Sequence, residues 1–221
     1  MPIRSVIFDL DGTLLDTLQD VADSVNTALA HAGLPTHDPE AYKYFVGDGR
    51  RMMAIRALPA DKRDETTVTG LLSEINEEYV QRWMTNTRPY PGIPALLDSL
   101  TIRGVRMAIL TNKAQNYTEA MVGGLLGKWH FQYVIGESPA FPRKPDPTAA
   151  MHIVEQMRVL PEECFLVGDS SIDMETAVAA NLYPVGVLWG FRTRDELISS
   201  GAKALAHRPA DIADLLDNNY P

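Results

Sequence analysis

Cysteine occurs once in this chain of 221 residues, at Cys164, so no intramolecular disulfide can form. It heads an apolar run, which makes it a core residue, and such sparing use fits a reducing cytosol and an expected cytoplasmic location. No apolar stretch reaches the ~18 residues that a membrane-spanning helix needs, and Met1-Pro2-Ile3-Arg4 leads straight into a strand-like run with no export signal. Positive charge is short as well. Lys and Arg number 20 against 29 Asp and Glu, and the net charge of −9 argues against a nucleic-acid backbone as partner. Internal repeats and low-complexity tracts are missing. What remains is a chain with 45% hydrophobic residues, enough to bury one core with a large insertion or two separate cores.

Against that background, acids gather at two places far apart in the chain. Phe8-Asp9-Leu10-Asp11-Gly12-Thr13 follows the apolar run Ser5-Val6-Ile7-Phe8, and Gly168-Asp169-Ser170-Ser171-Ile172-Asp173 follows Cys164-Phe165-Leu166-Val167. Both runs read as strands buried on both faces, so the acids sit at strand C-termini, where open α/β sheets bind their ligands. Unpaired, so many like charges would repel. A hard divalent cation removes the repulsion, and a few carboxylates with open positions suit Mg²⁺, which keeps waters and phosphate oxygens as its other ligands. Taken singly, each Asp is an ordinary turn or helix-capping residue; the full string Asp-Leu-Asp-Gly-Thr is more specific. Gly12 permits a tight turn and close backbone approach, and Thr13 can hydrogen-bond an acidic partner or a phosphate.

Hydrophobic periodicity places helices and strands in alternation, with one interruption. Asp16 to His31 reads as a helix with Asp16 and Gln19 as a capping pair and Gly33 as its stop. Helices over Arg50 to Leu58 and Asp61 to about Met84 follow. After Pro89-Tyr90-Pro91-Gly92 come helix Ile93 to Ile102, strand Arg106 to Leu110, helix Asn116 to Leu126, strand Tyr133 to Ile135, helix Pro147 to Met157 and strand Cys164 to Val167. A helix Ile172 to Asn181 and the apolar run Val185 to Leu188 complete the pattern. The expected fold is α/β: a Rossmann-like, doubly wound parallel sheet formed by residues 1–15 and 88–221, with an inserted α-helical domain over 16–87. That insertion far exceeds a crossover connection and leaves the sheet directly after the acidic loop, so it is expected to act as a lid that excludes water.

Two further elements suit an anionic ligand. Thr111-Asn112-Lys113 ends a strand just before a helix, which would aim a hydroxyl and free backbone N–H groups into the crevice. In Pro142-Arg143-Lys144-Pro145-Asp146-Pro147 the prolines stiffen the backbone around Lys144, whose ammonium could pair with Asp9 and with phosphate charge.

With these residues assembled, the chain resembles the haloacid dehalogenase superfamily of phosphotransferases over its whole length. Asp9-Leu10-Asp11-Gly12-Thr13 is similar to the first motif of that family, Thr111-Asn112 to the second, Lys144 to the third, and Gly168-Asp169 with Asp173 to the fourth. The resemblance implies a phosphoric monoester hydrolase in which Asp9 takes the phosphoryl group and Asp11 acts as general acid and then general base. It implies Mg²⁺ held by Asp9, the Asp11 backbone carbonyl and Asp169, with Asp173 in or near the ligand set. Gly12, Thr111, Asn112 and Lys144 would hold the phosphoryl oxygens. The reaction needs positioning and charge neutralisation above all, and these residue types supply both.

Within the superfamily, an acid at Asp11 disfavours dehalogenation and phosphonate cleavage. Phe45-Val46-Gly47-Asp48-Gly49-Arg50 resembles the substrate loop of phosphoglycolate phosphatases, as does Trp189-Gly190-Phe191-Arg192, for which the sequence suggests no chemistry. Gly47 and Gly49 would let backbone approach a substrate, and Arg50 or Arg51 could hold its carboxylate by a bidentate pair; both arginines read equally well as solvated first-turn residues. The expected partner is therefore a small-molecule phosphate ester such as 2-phosphoglycolate, with no nucleic acid and no membrane. A sugar phosphomutase or a pyrophosphatase on the same fold is the alternative. A signalling receiver domain also gathers acids, Thr and Lys around Mg²⁺, but it lacks a large helical insertion. A serine hydrolase built on Ser170 lacks a base, since His31, His37, His130, His152 and His207 show no partner spacing.

Overall fold

A computed structural model describes residues 2–217. The chain begins in strand β1 (Ser5–Phe8), crosses at β2 (Leu15–Asp16) into helices α1 (Leu18–His31), α2 (Tyr42–Phe45), α3 (Arg50–Ala57) and α4 (Glu65–Arg82), and leaves them at β3 (Arg88–Pro89). There follow α5 (Ile93–Ile102), β4 (Arg106–Ala114), α6 (Gln115–Leu125), β5 (Tyr133–Glu137), α7 (Thr148–Met157) and β6 (Cys164–Gly168). The last elements are α8 (Ser171–Ala179), β7 (Tyr183–Val187), α9 (Arg194–Ser199), β8 (Ala204–Ala206) and α10 (Pro209–Leu216). Two compact units result, one of Met1–Leu15 with Pro89–Pro221 and one of Asp16–Arg88. Among the described residues no helix is long and apolar enough to cross a membrane.

The first unit is a six-stranded sheet in the order β5-β4-β1-β6-β7-β8, parallel throughout. From β1 the chain builds outward through β4 and β5, then returns to the other side of β1 to lay down β6, β7 and β8. The strand order thus reverses at β1, the position where such sheets open a crevice. Register brings the strand ends level: Phe8 pairs with Ile109 on one side and Val167 on the other, so the residues just after all three emerge together. Val6, Ile7 and Phe8 are fully buried, as a central strand with helices on both faces requires. Ile7, Leu110 and Leu166 pack with Ala150, Ile153 and Met157 of α7 and with Ala177 of α8.

Several boundaries differ from the sequence reading for identifiable reasons. Strand β4 continues to Ala114 with a register shift between Leu110 and Ala114, so Thr111-Asn112-Lys113 lies in its irregular end and not beyond it. Asp16 and Gln19 form no capping pair: α1 starts at Leu18 behind Thr17, and Gln19 Nε2 donates to Asp23 Oδ1 at 2.7 Å. The helix expected from Asp61 is split. A 3₁₀ turn covers Ala60–Lys62, and α4 begins only at Glu65, because Asp64 accepts from the Thr67 N–H at 3.1 Å and caps it there.

In the second unit, α4 buries Val68, Leu71, Ile75 and Tyr79, a seam at helical spacing, and packs along α1. The two ends of this unit are tied by Asp20. Its buried carboxylate accepts from the backbone N–H groups of Asn86 and Thr87 at 2.9 Å, and from the Thr87 hydroxyl at 2.7 Å.

Candidate active site

Asp9 follows β1 directly, and its backbone N–H donates to Val167 O at 2.9 Å, extending the ladder one residue past the strand. The chain then folds back on itself: the N–H groups of Leu14 and Leu15 both donate to Leu10 O, and that of Gly12 to Leu15 O. Gly12 is required twice over. Its φ is +84°, and a Cβ there would overlap the Asp169 carboxylate. The turn leaves Asp9 and Asp11 at the sheet's edge and brings the Thr13 hydroxyl to Asp169 Oδ1 at 3.3 Å.

Asp9, Asp169 and Asp173 are all buried, with carboxylate oxygens within 4.8 Å of one another. Lys144 reaches into this group and donates to Asp9 Oδ1 at 2.9 Å, Asp173 Oδ1 at 2.6 Å and Leu110 O at 2.9 Å. Burial opposes its charge, but the Asp173 and Asp9 carboxylates outweigh that and hold the ammonium charged, its pKa above the ordinary lysine value. Asp9 is pushed up to about 6, first by burial and then by Asp173, with Lys144 opposing. Asp169 is raised well above the usual carboxylate range by burial and by its two acidic neighbours.

This balance fits a divalent cation. Three buried carboxylates gather about the ammonium of Lys144, which contacts Asp9 and Asp173 but not Asp169, while the Arg192 charge also acts on Asp169. A hard cation would offset the crowded negative charge and suits an all-oxygen set. Asp173 is the most committed of the three, because its Oδ2 also accepts from Ser170 N–H at 3.1 Å and Ser170 Oγ at 2.6 Å, capping α8.

The remaining residues of the sheet's edge divide by role. Thr111 is buried and its Oγ1 accepts from the Lys113 N–H at 3.3 Å, which leaves the hydroxyl proton to donate. Asn112, expected among the groups that hold phosphoryl oxygens, turns its side chain to the Lys144 backbone. Its Nδ2 donates to Lys144 O at 3.0 Å and its Oδ1 accepts from Lys144 N–H at 2.9 Å, a reciprocal clamp that fixes the lysine backbone. Asp11 is paired with Lys113, whose Nζ lies 3.1 and 3.0 Å from its two oxygens, a contact the sequence alone does not reveal.

The stretch Trp189-Gly190-Phe191 gains a structural role. Phe191 N–H donates to Asp169 Oδ2 at 2.7 Å, and Trp189 Nε1 donates to Thr13 O at 3.0 Å. A Cβ on Gly190 would overlap Asp169 Cβ, so Asp169 is gripped between Gly12 and Gly190. No spacing rule reveals such a contact; only the adjacency of β6 and β7 creates it.

In the helical unit, Gly47 and Gly49 lie in the loop between α2 and α3, and Asp48 forms an ion pair with Arg56. Arg51 is committed to a fork on Glu65, with Nη1 and Nη2 at 3.0 and 2.5 Å from its oxygens, so it joins α3 to α4. Arg50 donates from Nη1 to Asn76 Oδ1 at 2.7 Å, while its buried Nε has no hydrogen-bond partner.

Comparison with known proteins agrees with this geometry. Residues 6–187 match the haloacid dehalogenase-like hydrolase family. A phosphoglycolate phosphatase of Rhodospirillum rubrum is 33% identical, with 99% of this chain and 92% of that protein covered. One from Aquifex aeolicus is 28% identical over 98% of each. A crystal structure from Lactobacillus delbrueckii subsp. bulgaricus, provisionally assigned as a phosphoglycolate phosphatase, superimposes with a TM-score of 0.92 at 28% identity, covering 98% of this chain and 99% of its own. From its acidic strand ends, its parallel sheet and these relatives together, the chain belongs to the haloacid dehalogenase-like hydrolases and within them is similar to the phosphoglycolate phosphatases.

Proposed function

We propose that this protein is a Mg²⁺-dependent phosphatase that hydrolyses a small phosphate monoester, with 2-phosphoglycolate as the favoured substrate, through a phosphoryl group carried on Asp9. One observation carries the reading: Asp9 and Asp11 follow the central strand, with Lys144 on Asp9 and two further buried carboxylates beside it. The substrate preference rests on relatives named phosphoglycolate phosphatases that align over nearly the full chain.

In the first step an Asp9 oxygen attacks phosphorus, the bond from phosphorus to the ester oxygen breaks, and Asp11 gives that oxygen a proton. In the second, Asp11 takes a proton from a water that attacks the same phosphorus, and the bond to Asp9 breaks to release phosphate. Lys144 stabilises charge on the transferring oxygens, and the Thr111 hydroxyl and Gly12 backbone complete the cradle. Asp9, Asp169 and the Asp11 carbonyl would hold Mg²⁺, with Asp173 adjoining, and the ion would neutralise the phosphate's negative charge. Asn112 acts through Lys144, which it fixes in place. The helical unit, Asp16–Arg88, is proposed as a cap, with Gly47, Gly49 and Arg50 as its substrate-reading residues; the partnerless Arg50 Nε favours Arg50 over the committed Arg51.

The test is phosphate release from a panel of esters in the presence and absence of chelator. Efficient turnover of 2-phosphoglycolate, at about 10⁴ M⁻¹s⁻¹ or above and abolished by EDTA, is expected. Full activity in chelator would exclude the metal. A preference for a sugar phosphate or pyrophosphate would replace the substrate.

A further inference from the structure

Lys113 is a lysine where solvent-exposed lysines are the rule, yet its side chain is only 7% exposed and its ammonium bridges both oxygens of Asp11. The phosphoryl site does not need it for Asp9, since Lys144 already fills that place. Its location relative to the reacting ester is defined through Asp11. The ester oxygen that takes the Asp11 proton must come within hydrogen-bond reach of that carboxylate, about 3 Å. Lys113 Nζ lies 3.0 and 3.1 Å from the same two oxygens. A group attached one carbon beyond the ester oxygen can then come within reach of the ammonium. In a phosphorylated α-hydroxy acid that group is a carboxylate.

We infer that Lys113 is the specificity residue that reads a substrate carboxylate on the carbon next to the ester oxygen. Resting on the Proposed function for the role of Asp11, the inference adds where in the sheet unit the acid of the substrate is recognised. Lysine suits this role because its ammonium is a compact positive charge on a flexible stem that can face Asp11 and a second carboxylate together. Desolvation by the surrounding side chains makes such a pair worth far more than one in water.

The test compares two substrates that differ in the carboxylate alone, 2-phosphoglycolate and ethyl phosphate. Both have poor leaving groups that need the Asp11 proton. In Lys113→Met the preference for 2-phosphoglycolate over ethyl phosphate should fall roughly 30-fold or more, chiefly through KM on 2-phosphoglycolate. Lys113→Gln serves as the second variant if Lys113→Met does not fold, with thermal unfolding confirming the native state of whichever is used. Equal loss on both substrates would overturn the inference, because Lys113 would then serve Asp11 only, and so would no loss on either. The underlying reading fails separately: a wild-type enzyme that shows no preference for 2-phosphoglycolate refutes the substrate before any variant is made.

Discussion

At the scale of single residues, the site is held by contacts that leave little room for change. Asp169 is fixed by the Phe191 N–H and the Thr13 hydroxyl, with Gly12 and Gly190 pressed against it. Gly190→Ala would drive a methyl group into that carboxylate, and Mg²⁺ binding should suffer while the sheet itself survives. The concentration of Mg²⁺ giving half-maximal activity should rise by about tenfold or more, as expected when a partner that orients a ligand is disturbed. Asp169→Ala, which removes the proposed ligand itself, should raise it further. An unchanged Mg²⁺ requirement in both variants would remove Asp169 from the metal site.

At the scale of elements, Asp20 joins the first turn of α1 to the segment that leaves the helical unit. Its buried carboxylate accepts from Asn86 and Thr87 through two backbone N–H groups, an amide and a hydroxyl. Asp20→Ala strips all these donors of their acceptor, and a loss of on the order of 3 to 5 kcal/mol is expected. Thermal unfolding reads this directly, and a melting temperature within a degree of wild type would show that water replaces the carboxylate at no cost.

The elements also show what the amino-acid order made legible. The buried runs of β1 and β6 follow from unbroken apolar sequence and the seam of α4 from helical periodicity, because each has one dominant environment. Motif residues Asp9, Asp11, Gly12, Thr111, Asn112, Lys144, Asp169 and Asp173 are brought together by β1, β4 and β6 with the Lys144 loop. The partners of Asn112 and Lys113 are less readable. Both residues belong to an irregular strand end, where a register shift decides which side chain turns toward Lys144 and which toward Asp11. Elements α9, β8 and α10, which carry no assignment in the sequence reading, are six, three and eight residues long.

At the scale of the whole molecule, the acidic site couples stability to pH and, with the proposed Mg²⁺, to metal. Burial first, and the Asp173 charge after it, raise Asp9 from 3.8 to about 6, so the folded protein holds this proton more tightly than the unfolded chain does. Between roughly pH 4 and 6 the folded state therefore binds more protons, and this contribution to stability falls as pH rises through that window. Asp169 is shifted in the same direction. A divalent cation must compete with these protons at low pH, with the Asp9 proton chiefly below about pH 6. The rise in melting temperature on adding Mg²⁺ should accordingly be larger at about pH 7.5 than at about pH 5. An equal or larger rise at the lower pH would contradict the assignment.

The nucleophile is the claim on which the chemistry turns, and Asp9→Asn tests it most directly. The amide is nearly isosteric and can still accept from Lys144, so the fold and most substrate binding should persist. Steady-state turnover of the wild-type enzyme's best phosphate ester, measured with Mg²⁺ on a variant whose melting curve confirms folding, should fall by about three orders of magnitude or more. Activity within about tenfold of wild type would show that the phosphoryl group never passes through Asp9.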